Sequence, residues 1–350
     1  MSKIPLRIEQ LDTILYNSNL NPMGIPESVK KSLNENLGSI IKYPSEYYGE
    51  LKKSISAYSG ADEAHIVLGN GLSDMLRLYC SLIIPQKAMI FSPTATEYER
   101  VLSIYGCEVS YYDLDESKDY VPNIKDFVSK LDSSYDMVIL GNPNNPTSQI
   151  INKPDIELIA EVCKELEIFL IIDEMYIEFT ENYEELTSIP LVKEFENIAV
   201  LRSVSKFFAV PGLRLAYSVI SNPSHLEMIS VTTAPNNIST LTAAACTAMF
   251  KDKKYIDESR SQIHTERSLI FSAMNTNKNI KLFKPYANYM LVKILKDDLT
   301  AQAIEEHCRT KGIIIRNCSN FHGLDNKYIR FCFMKPKQND LLVNTILELL

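Results

Sequence analysis

The stretch IAVLRSVSKFFAVPGLR, residues 198–214, begins as an apolar run and then places two cations close together. Its first part has the apolar, β-branched composition of a buried strand. Lys206 follows this strand, and Arg214 lies eight residues further on. A buried lysine has a lowered pKa, which makes its amine a nucleophile toward carbonyl groups. An isolated lysine or arginine is more often a solvated surface charge, so the two cations do not by themselves define a site.

Six further apolar runs resemble this strand. They are HIVLGNG (65–71), AMIFSP (88–93), CEVSYYDL (107–114), MVILGNP (137–143), FLIIDEMY (169–176) and RLAYSVI (214–220). Segments 74–83, 96–106 and 155–167 lie between several of them and have apolar residues near positions i, i+3, i+4 and i+7. Strands that alternate with amphipathic helices predict a largely parallel sheet, covered by helices on both faces.

The pattern changes after about residue 225. A long helical stretch over roughly 224–276 precedes a second group of strands and helices. The strand-like runs are NYMLVKI (288–294), GIIIRNC (312–318) and YIRFCF (328–333), and the helical ones are AQAIEEHCRT and NDLLVNTILELL. This part of the sequence is typical of a smaller α+β domain.

The first 45 residues contain NSNLNPMGIP, whose Asn, Pro and Gly residues indicate an arm or loop. We therefore predict an α/β protein in three parts. Residues 1–45 form an N-terminal arm and small-domain segment, 46–225 the large domain, and 226–350 an interdomain helix and the small C-terminal domain.

Composition narrows the class of protein. The net charge of −8 argues against a nucleic acid or an anionic membrane as partner. Seven scattered cysteines without CxxC spacing favour free thiols in a reducing cytoplasm, and the histidines show no metal-binding spacing. No apolar run approaches the roughly 18 residues of a membrane helix. We expect a cytoplasmic protein that binds no metal.

Polar residues directly follow several of the predicted strands. This position matters because ligands of parallel sheets bind beyond the carboxyl ends of the strands. GNGLSD (69–74) would place backbone N–H groups of Asn70, Gly71 and Leu72 at a helix start, which suits a phosphate, although tight turns use GNG equally often. Ser203 and Ser205 add hydroxyl donors, and a guanidinium such as that of Arg214 matches a phosphate.

Asp173 ends the apolar run FLIID, and a carboxylate there needs a partner. The partner could be a salt bridge, a helix cap or the protonated ring nitrogen of a cofactor, which makes that ring an electron sink. Tyr176 and Asn145 could bind an oxygen of the same ring. Alternatively, Tyr176 is a packing aromatic and Asn145 belongs to the turn NPNNP.

Together, GNG, GNPNNPT, IIDEMYIEF and SVSKFFAVPGLR resemble the pyridoxal-phosphate enzymes of the aspartate-aminotransferase fold, fold type I. The best match is the branch that contains histidinol-phosphate aminotransferase and L-threonine-O-3-phosphate decarboxylase. The resemblance covers essentially the whole chain. It implies pyridoxal 5'-phosphate as cofactor and Lys206 as the residue that bonds its aldehyde.

The resemblance also implies roles for other residues. Lys206, Asp173 and Tyr176 would be catalytic. The cofactor-binding residues would be Asn70, Gly71, Leu72, Tyr98, Asn145, Asp173, Tyr176, Ser203, Ser205, Lys206 and Arg214. Tyr43 is similar to a tyrosine that reaches the partner subunit's phosphate, which implies a homodimer. Ala95 stands where the family has an aromatic residue that stacks on the cofactor ring.

The segments 17–33 and 312–333 resemble the decarboxylases more than the aminotransferases. Asn19, Arg316 and Arg330 would bind the phosphate and carboxylate of the substrate. This implies decarboxylation of L-threonine O-3-phosphate to aminopropanol phosphate, a step of cobalamin biosynthesis. Tyr176 instead matches the aminotransferases, so an aminotransferase acting on histidinol phosphate or another amino acid is the alternative. A cofactor-sensing regulator would need a DNA-binding module, for which the sequence offers no segment.

Overall fold

The computed structural model describes residues 13–350. This range contains thirteen strands: β1 (Ile14–Leu15), β2 (Ile66–Gly69), β3 (Lys87–Ser92), β4 (Glu108–Asp113), β5 (Met137–Gly141), β6 (Phe169–Asp173), β7 (Ile198–Ser203), β8 (Ala216–Val219), β9 (Ile280–Leu282), β10 (Tyr289–Ile294), β11 (Ile313–Ile314), β12 (Arg316–Asn317) and β13 (Tyr328–Cys332).

The same range contains thirteen α-helices: α1 (Glu27–Asn36), α2 (Gly49–Ser59), α3 (Leu72–Ile83), α4 (Thr96–Ile104), α5 (Ile124–Val128), α6 (Lys153–Glu165), α7 (Tyr183–Leu186), α8 (Val204–Phe207), α9 (Pro223–Thr232), α10 (Thr240–Met249), α11 (Lys253–Met274), α12 (Ala301–Thr310) and α13 (Pro336–Leu347).

Seven strands form the large sheet in the order β2-β8-β7-β6-β5-β3-β4. All neighbours are parallel except β8, which runs antiparallel to β2 and β7. The prediction of a largely parallel sheet is therefore confirmed. Consecutive side chains of β6 alternate between two apolar cores, since Leu170 and Ile172 pack in one and Phe169 and Ile171 in the other. Both faces are thus covered, as the near-continuous apolar runs predict.

A second, four-stranded sheet has the antiparallel order β12-β13-β10-β9. Near it, β1 pairs in parallel with β11, and the Cys332 N–H donates to the Tyr16 carbonyl at 2.9 Å. These bonds tie the segment after β1 to the second sheet. Because the two sheets use separate stretches of chain, we propose the domain limits 1–45, 46–225 and 226–350.

Three local predictions differ from the structure. The stretch 224–276 is three helices, α9 to α11, because residues 233–239 contain Pro235 and the helix-capping Ser239. The first 45 residues are not only a loop, since α1 begins directly after Pro26, while residues 1–12 lie outside the described range. The run 312–318 is split between β11 and β12, which pair with different strands.

The described residues include no helix that is long and apolar enough to cross a membrane. The large sheet defines where a site can form. Six of its strands, β2 to β7, point the same way, so their last residues share one edge: Gly69, Ser92, Asp113, Gly141, Asp173 and Ser203.

Candidate active site

A cavity of about 260 Å³ opens at this edge. The residues that line it are Leu72, Ser73, Ala95, Glu97, Tyr98, Pro143, Asn145, Asp173, Met175, Tyr176, Ser203, Ser205, Lys206, Pro211 and Arg214. Most of the cofactor-binding residues expected from the sequence are therefore brought together. Two larger cavities, of about 630 and 680 Å³, lie around Tyr48, but neither includes Lys206 or Asp173.

Asp173 is the last residue of β6 and is 6% exposed. Its Oδ2 accepts a hydrogen bond from the Tyr98 hydroxyl at 2.7 Å, and its Oδ1 accepts one from the Met175 N–H at 2.9 Å. No cation in residues 13–350 forms a salt bridge with it. Burial raises the pKa of the Asp173 carboxyl to about 6, against the lowering effect of both hydrogen bonds. A buried carboxylate without a cation is costly, so this position favours a cationic ligand.

Lys206 lies on α8, the short helix that follows β7. Its Nζ donates a 2.7 Å hydrogen bond to the Ser18 carbonyl. Burial lowers the pKa of Lys206 to about 8, and the neighbouring charges of Arg330 and Arg214 act in the same direction. About a tenth of this amine is therefore neutral at pH 7, far more than for an ordinary lysine, and able to attack a carbonyl carbon.

The start of α3 and Arg214 face each other across the cavity rim. Gly71 has φ of +96°, and a Cβ on it would overlap the Arg214 guanidinium, so only glycine permits this close approach. Arg214 itself has φ of +54° and donates to the carbonyls of Pro211 and Asn70 at 3.3 Å, with no carboxylate partner among the described residues. The Asn70 N–H, contrary to expectation, already donates to Asp74 Oδ2 at 2.8 Å. The helix start that follows it and the guanidinium without a carboxylate partner remain suited to a phosphate.

Two serines complete this end of the cavity. The Ser203 hydroxyl donates to Ser205 Oγ at 3.0 Å, and both side chains are buried. The donor set as a whole is chemically complementary to one molecule that carries a phosphate, an aldehyde and a protonated ring nitrogen. Pyridoxal 5'-phosphate has these three groups, so the residues present fit the expected cofactor.

Tyr176 and Asn145 also line the cavity. The Asn19 amide donates to the Tyr176 hydroxyl at 3.2 Å, and Arg330 Nη1 donates to Asn145 Oδ1. The Tyr176 ring packs edge-on against Tyr289, with centroids 4.8 Å apart. Asn19 is thus brought to the cavity from the N-terminal segment, with φ of +54°, a conformation that asparagine adopts more readily than most residues.

Arg330 is 5% exposed, and its Nη2 donates to the Asn17 carbonyl at 2.8 Å. Its buried Nε has no hydrogen-bond partner, and no carboxylate of residues 13–350 forms a salt bridge with it. Arg316 lies directly opposite Arg330 in the antiparallel pairing of β12 with β13. Directly opposed residues project from the same face of a sheet, where like charges repel. The pair therefore favours an anionic ligand.

Six expected residues are not part of the cavity lining: Asn19, Tyr43, Asn70, Gly71, Arg316 and Arg330. Tyr43 is 91% exposed, and the Asn70 amide turns away to donate to the Asn237 carbonyl at 3.1 Å. Arg316 instead donates to Asn320 at 2.7 Å. Ala95 does line the cavity, so its small side chain leaves that position without an aromatic ring. Tyr98 faces Asp173 from the buried side.

The sequence reasoning missed several contributors. The carbonyls of Asn17 and Ser18 accept hydrogen bonds from Arg330 and Lys206, and the Tyr289 ring lies 5.3 Å from the Arg330 guanidinium carbon. The turn-forming composition of residues 17–19 is a signal for an irregular segment, yet nothing local shows that it reaches Lys206. Backbone carbonyl ligands carry no residue-type signature.

The chain resembles known proteins over nearly its whole length. Residues 12–346 match the family described as aminotransferase class I and II. The threonine-phosphate decarboxylase of Salmonella typhimurium is 31% identical over 336 residues, which cover 96% of this chain and 90% of that protein.

Two solved structures share the fold. The histidinol-phosphate aminotransferase from Clostridium acetobutylicum has a TM-score of 0.89 and 32% identity, covering 96% of this chain and 98% of that one. The histidinol-phosphate aminotransferase from Sinorhizobium meliloti, solved in complex with pyridoxal 5'-phosphate, has a TM-score of 0.82 and 20% identity, covering 97% and 92%. The predictions of fold type I and of the cofactor are confirmed. The chain therefore belongs to the aminotransferase class I and II family and is a pyridoxal-phosphate-dependent enzyme.

Proposed function

We propose that this enzyme decarboxylates L-threonine O-3-phosphate to aminopropanol phosphate. The observation that carries the substrate class, an amino compound with a phosphate, is the arginine pair Arg316 and Arg330, which has no carboxylate partner in residues 13–350 and borders the cavity through Asn145. A substrate with two anionic groups, a phosphate and a carboxylate, would satisfy both guanidinium groups.

The cofactor-binding roles are assigned as follows. The phosphate is bound by the start of α3, Arg214 and the two serines Ser203 and Ser205. Asp173 pairs with the protonated ring nitrogen, which relieves the cost of its buried charge. Asn145 and Tyr176 would hold the ring oxygen, and Lys206 Nζ would hold the aldehyde group. When bound, the cofactor withdraws the electron pair that remains at the substrate's Cα after a bond there breaks.

The residues of the chain then determine the outcome. Lys206 Nζ, whose pKa is lowered to about 8, is assigned to hold and deliver a proton at Cα. In decarboxylation the bond from Cα to the carboxylate breaks, carbon dioxide leaves, and a proton replaces it. In transamination the bond from Cα to hydrogen breaks instead. The orientation that Arg316, Arg330 and Asn19 impose on the substrate decides between them, because misplacement of roughly 1 Å changes rates about a hundredfold.

The preference for decarboxylation follows from the similarity to the Salmonella typhimurium threonine-phosphate decarboxylase. That protein is 31% identical over 96% of this chain. The second candidate is transamination of histidinol phosphate, which the Clostridium acetobutylicum structure of 32% identity favours. Both substrates carry a phosphate, so the arginine pair supports the substrate class under either reaction.

We also propose that the enzyme is a homodimer in the cytoplasm. Tyr43 is 91% exposed, and its neighbours Ile41 and Tyr47 are 85% and 80% exposed. Three large apolar side chains so close in sequence favour an interface with another protein surface. In a dimer, Tyr43 would bind the phosphate of the partner's cofactor.

The test is incubation of the holoenzyme with L-threonine O-3-phosphate, with measurement of released carbon dioxide and of aminopropanol phosphate in equal amounts. Absence of both products would remove the decarboxylase proposal. Transamination would instead bleach the visible absorption of the lysine-bound cofactor in the presence of histidinol phosphate, and 2-oxoglutarate would restore it. Size-exclusion chromatography with light scattering tests the dimer.

A further inference from the structure

The loop that joins β12 to β13 crosses from the second sheet to the large sheet. Within it, the His322 ring stacks on Tyr111 of β4, with centroids 3.9 Å apart and planes inclined by 3°. His322 Nδ1 lies 2.9 Å from Ser92 Oγ, and that hydroxyl is also 3.2 Å from the His322 carbonyl. One histidine thus holds this loop to the ends of two strands of the large sheet.

The residues just before His322 hold Arg316. Asn320 Oδ1 accepts a 2.7 Å hydrogen bond from Arg316 Nη2. The ring of Phe321, which is buried, lies 5.3 Å from the Arg316 guanidinium carbon. Three consecutive residues therefore link Arg316 to the large sheet.

The backbone approaches the large sheet closely at the next position. Gly323 has φ of +80°, and a Cβ on it would lie 2.6 Å from Ser92 Oγ, so a larger residue would push the loop away. The residues that follow Ser92 also hold the turn next to Asn145. The Pro93 carbonyl accepts from the Asn144 amide at 2.9 Å, and Thr94 Oγ1 donates to Asn144 Oδ1 at 2.7 Å. The loop between β12 and β13 is thus held by Ser92, which directly precedes the residues that hold Asn144 beside the cavity-lining Asn145.

We propose that His322 is a positioning residue for substrate binding: it fixes the loop so that Arg316 is held ready for the anionic group of the substrate. The proposal rests on the proposed function, in which Arg316 binds that anion. A half-buried arginine loses rotamer freedom when a ligand immobilises it. A loop that restrains the guanidinium in advance removes part of this cost.

The experiment measures steady-state kinetics of holoenzyme variants with L-threonine O-3-phosphate. His322→Ala removes the stack and the hydrogen bond and is expected to raise KM about tenfold, with kcat within about twofold. His322→Phe keeps a ring on Tyr111 and should raise KM by less. The visible absorption of the lysine-bound cofactor should stay unchanged in both variants. His307→Ala is the matched control, because His307 is also in the C-terminal part and pairs on the surface with Glu348.

A double-variant cycle separates positioning from general stability. If His322 acts through Arg316, the variant Arg316→Ala/His322→Ala should bind substrate no more weakly than Arg316→Ala alone. Additive losses, an unchanged KM in His322→Ala, or a fall in kcat with altered cofactor absorption would each overturn the proposal.

Failure of the proposed reaction is recognised separately. If the wild-type holoenzyme releases no carbon dioxide, the decarboxylase assignment falls. The same variants are then titrated with histidinol phosphate, with the bleaching of the lysine-bound cofactor as signal. Weaker binding in His322→Ala but not in His307→Ala would still support the role of His322, and equal binding in both would refute it.

Discussion

The two sides of the cavity are built in different ways. The cofactor side takes Asp173 and Lys206 from the ends of β6 and β7, which are adjacent in register and buried in the large sheet. The substrate side takes Asn19 and Arg330 from segments more than three hundred residues apart, joined by polar contacts. Residues held by a buried sheet tolerate few substitutions. Residues held by contacts between loops and strand edges can be substituted more freely. We therefore propose that substrate choice is determined by the second side.

A buried ion pair reinforces the cofactor side. Arg202 and Glu174 are almost fully buried and 2.8 Å apart, and Glu178 lies 3.5 Å from the same guanidinium. Glu174 directly follows Asp173, and Arg202 directly precedes Ser203. The pair thus couples the ends of the two strands that carry the cofactor residues. Removing one partner would leave an uncompensated buried charge.

The largest expected effect is that of Lys206→Ala on the cofactor side. The variant should lack the visible absorption of the lysine-bound cofactor and should be inactive with either substrate, because no other amine is assigned to the aldehyde carbon. Absorption spectra and borohydride reduction followed by mass spectrometry check this. A cofactor adduct that borohydride reduces in the variant with the same yield as in wild type would contradict the assignment. Lys52→Ala, which removes another partly buried lysine, is the control.

A pH profile sharpens the same assignment. Lys206 must be neutral to attack the aldehyde, and its pKa is lowered to about 8. The rate at which apoenzyme takes up pyridoxal 5'-phosphate should therefore rise with pH and reach half its maximum near pH 8. A half-maximum near pH 10, the range of an ordinary lysine, would show that burial does not activate this amine.

Asp173→Asn should lower activity by about a thousandfold, because the ring nitrogen loses its anionic partner. The effect on apoenzyme stability has the opposite sign. Burial raises the pKa of Asp173 to about 6, above its unfolded value, so the group destabilises the fold as pH rises through about 4 to 6. The variant should therefore gain about 2 kcal/mol of unfolding free energy relative to wild type between pH 4 and pH 7.5. Urea denaturation at both pH values tests this, and a pH-independent difference would contradict it.

On the substrate side, Arg330→Ala should raise KM for L-threonine O-3-phosphate about a hundredfold while the lysine-bound cofactor remains visible. The reason is that a buried guanidinium without a carboxylate partner is available for the substrate anion. Arg309→Ala is the matched control, since its exposed pair with Glu305 should contribute little. Equal KM values in the two variants would place the anion elsewhere.

The smallest expected effect concerns Ala95. Its backbone, with φ of −60° and ψ of 121°, accepts any larger residue. Ala95→Phe would supply the aromatic ring that the family has at this position and should tighten cofactor binding about three- to tenfold. Equilibrium dialysis of apoenzyme checks this. Ala95→Val, which adds bulk without a ring, should not reproduce the gain.

The comparison of the two sides also explains what could be predicted from sequence. Each residue of the cofactor side belongs to a local pattern, such as FLIID or SVSK, and parallel strands bring the ends of such patterns to one edge. The contacts of Lys206 with Ser18 and of Arg330 with Asn17 use backbone carbonyls, for which no residue type is required. The stack of His322 on Tyr111 joins residues 211 positions apart, so it depends on how the two sheets meet. Pro235 is a local sign of a helix end, but the helical spacing of apolar residues over 224–276 predicts one continuous helix across it.

The central claim is that Arg316 and Arg330 form the anion site of a pyridoxal-phosphate enzyme. A crystal structure of the holoenzyme with aminopropanol phosphate tests it most directly. We predict that the ligand phosphate contacts Arg316, Arg330 or both, while its amine faces Lys206 Nζ. A phosphate bound elsewhere, with both arginines free of the ligand, would contradict the claim.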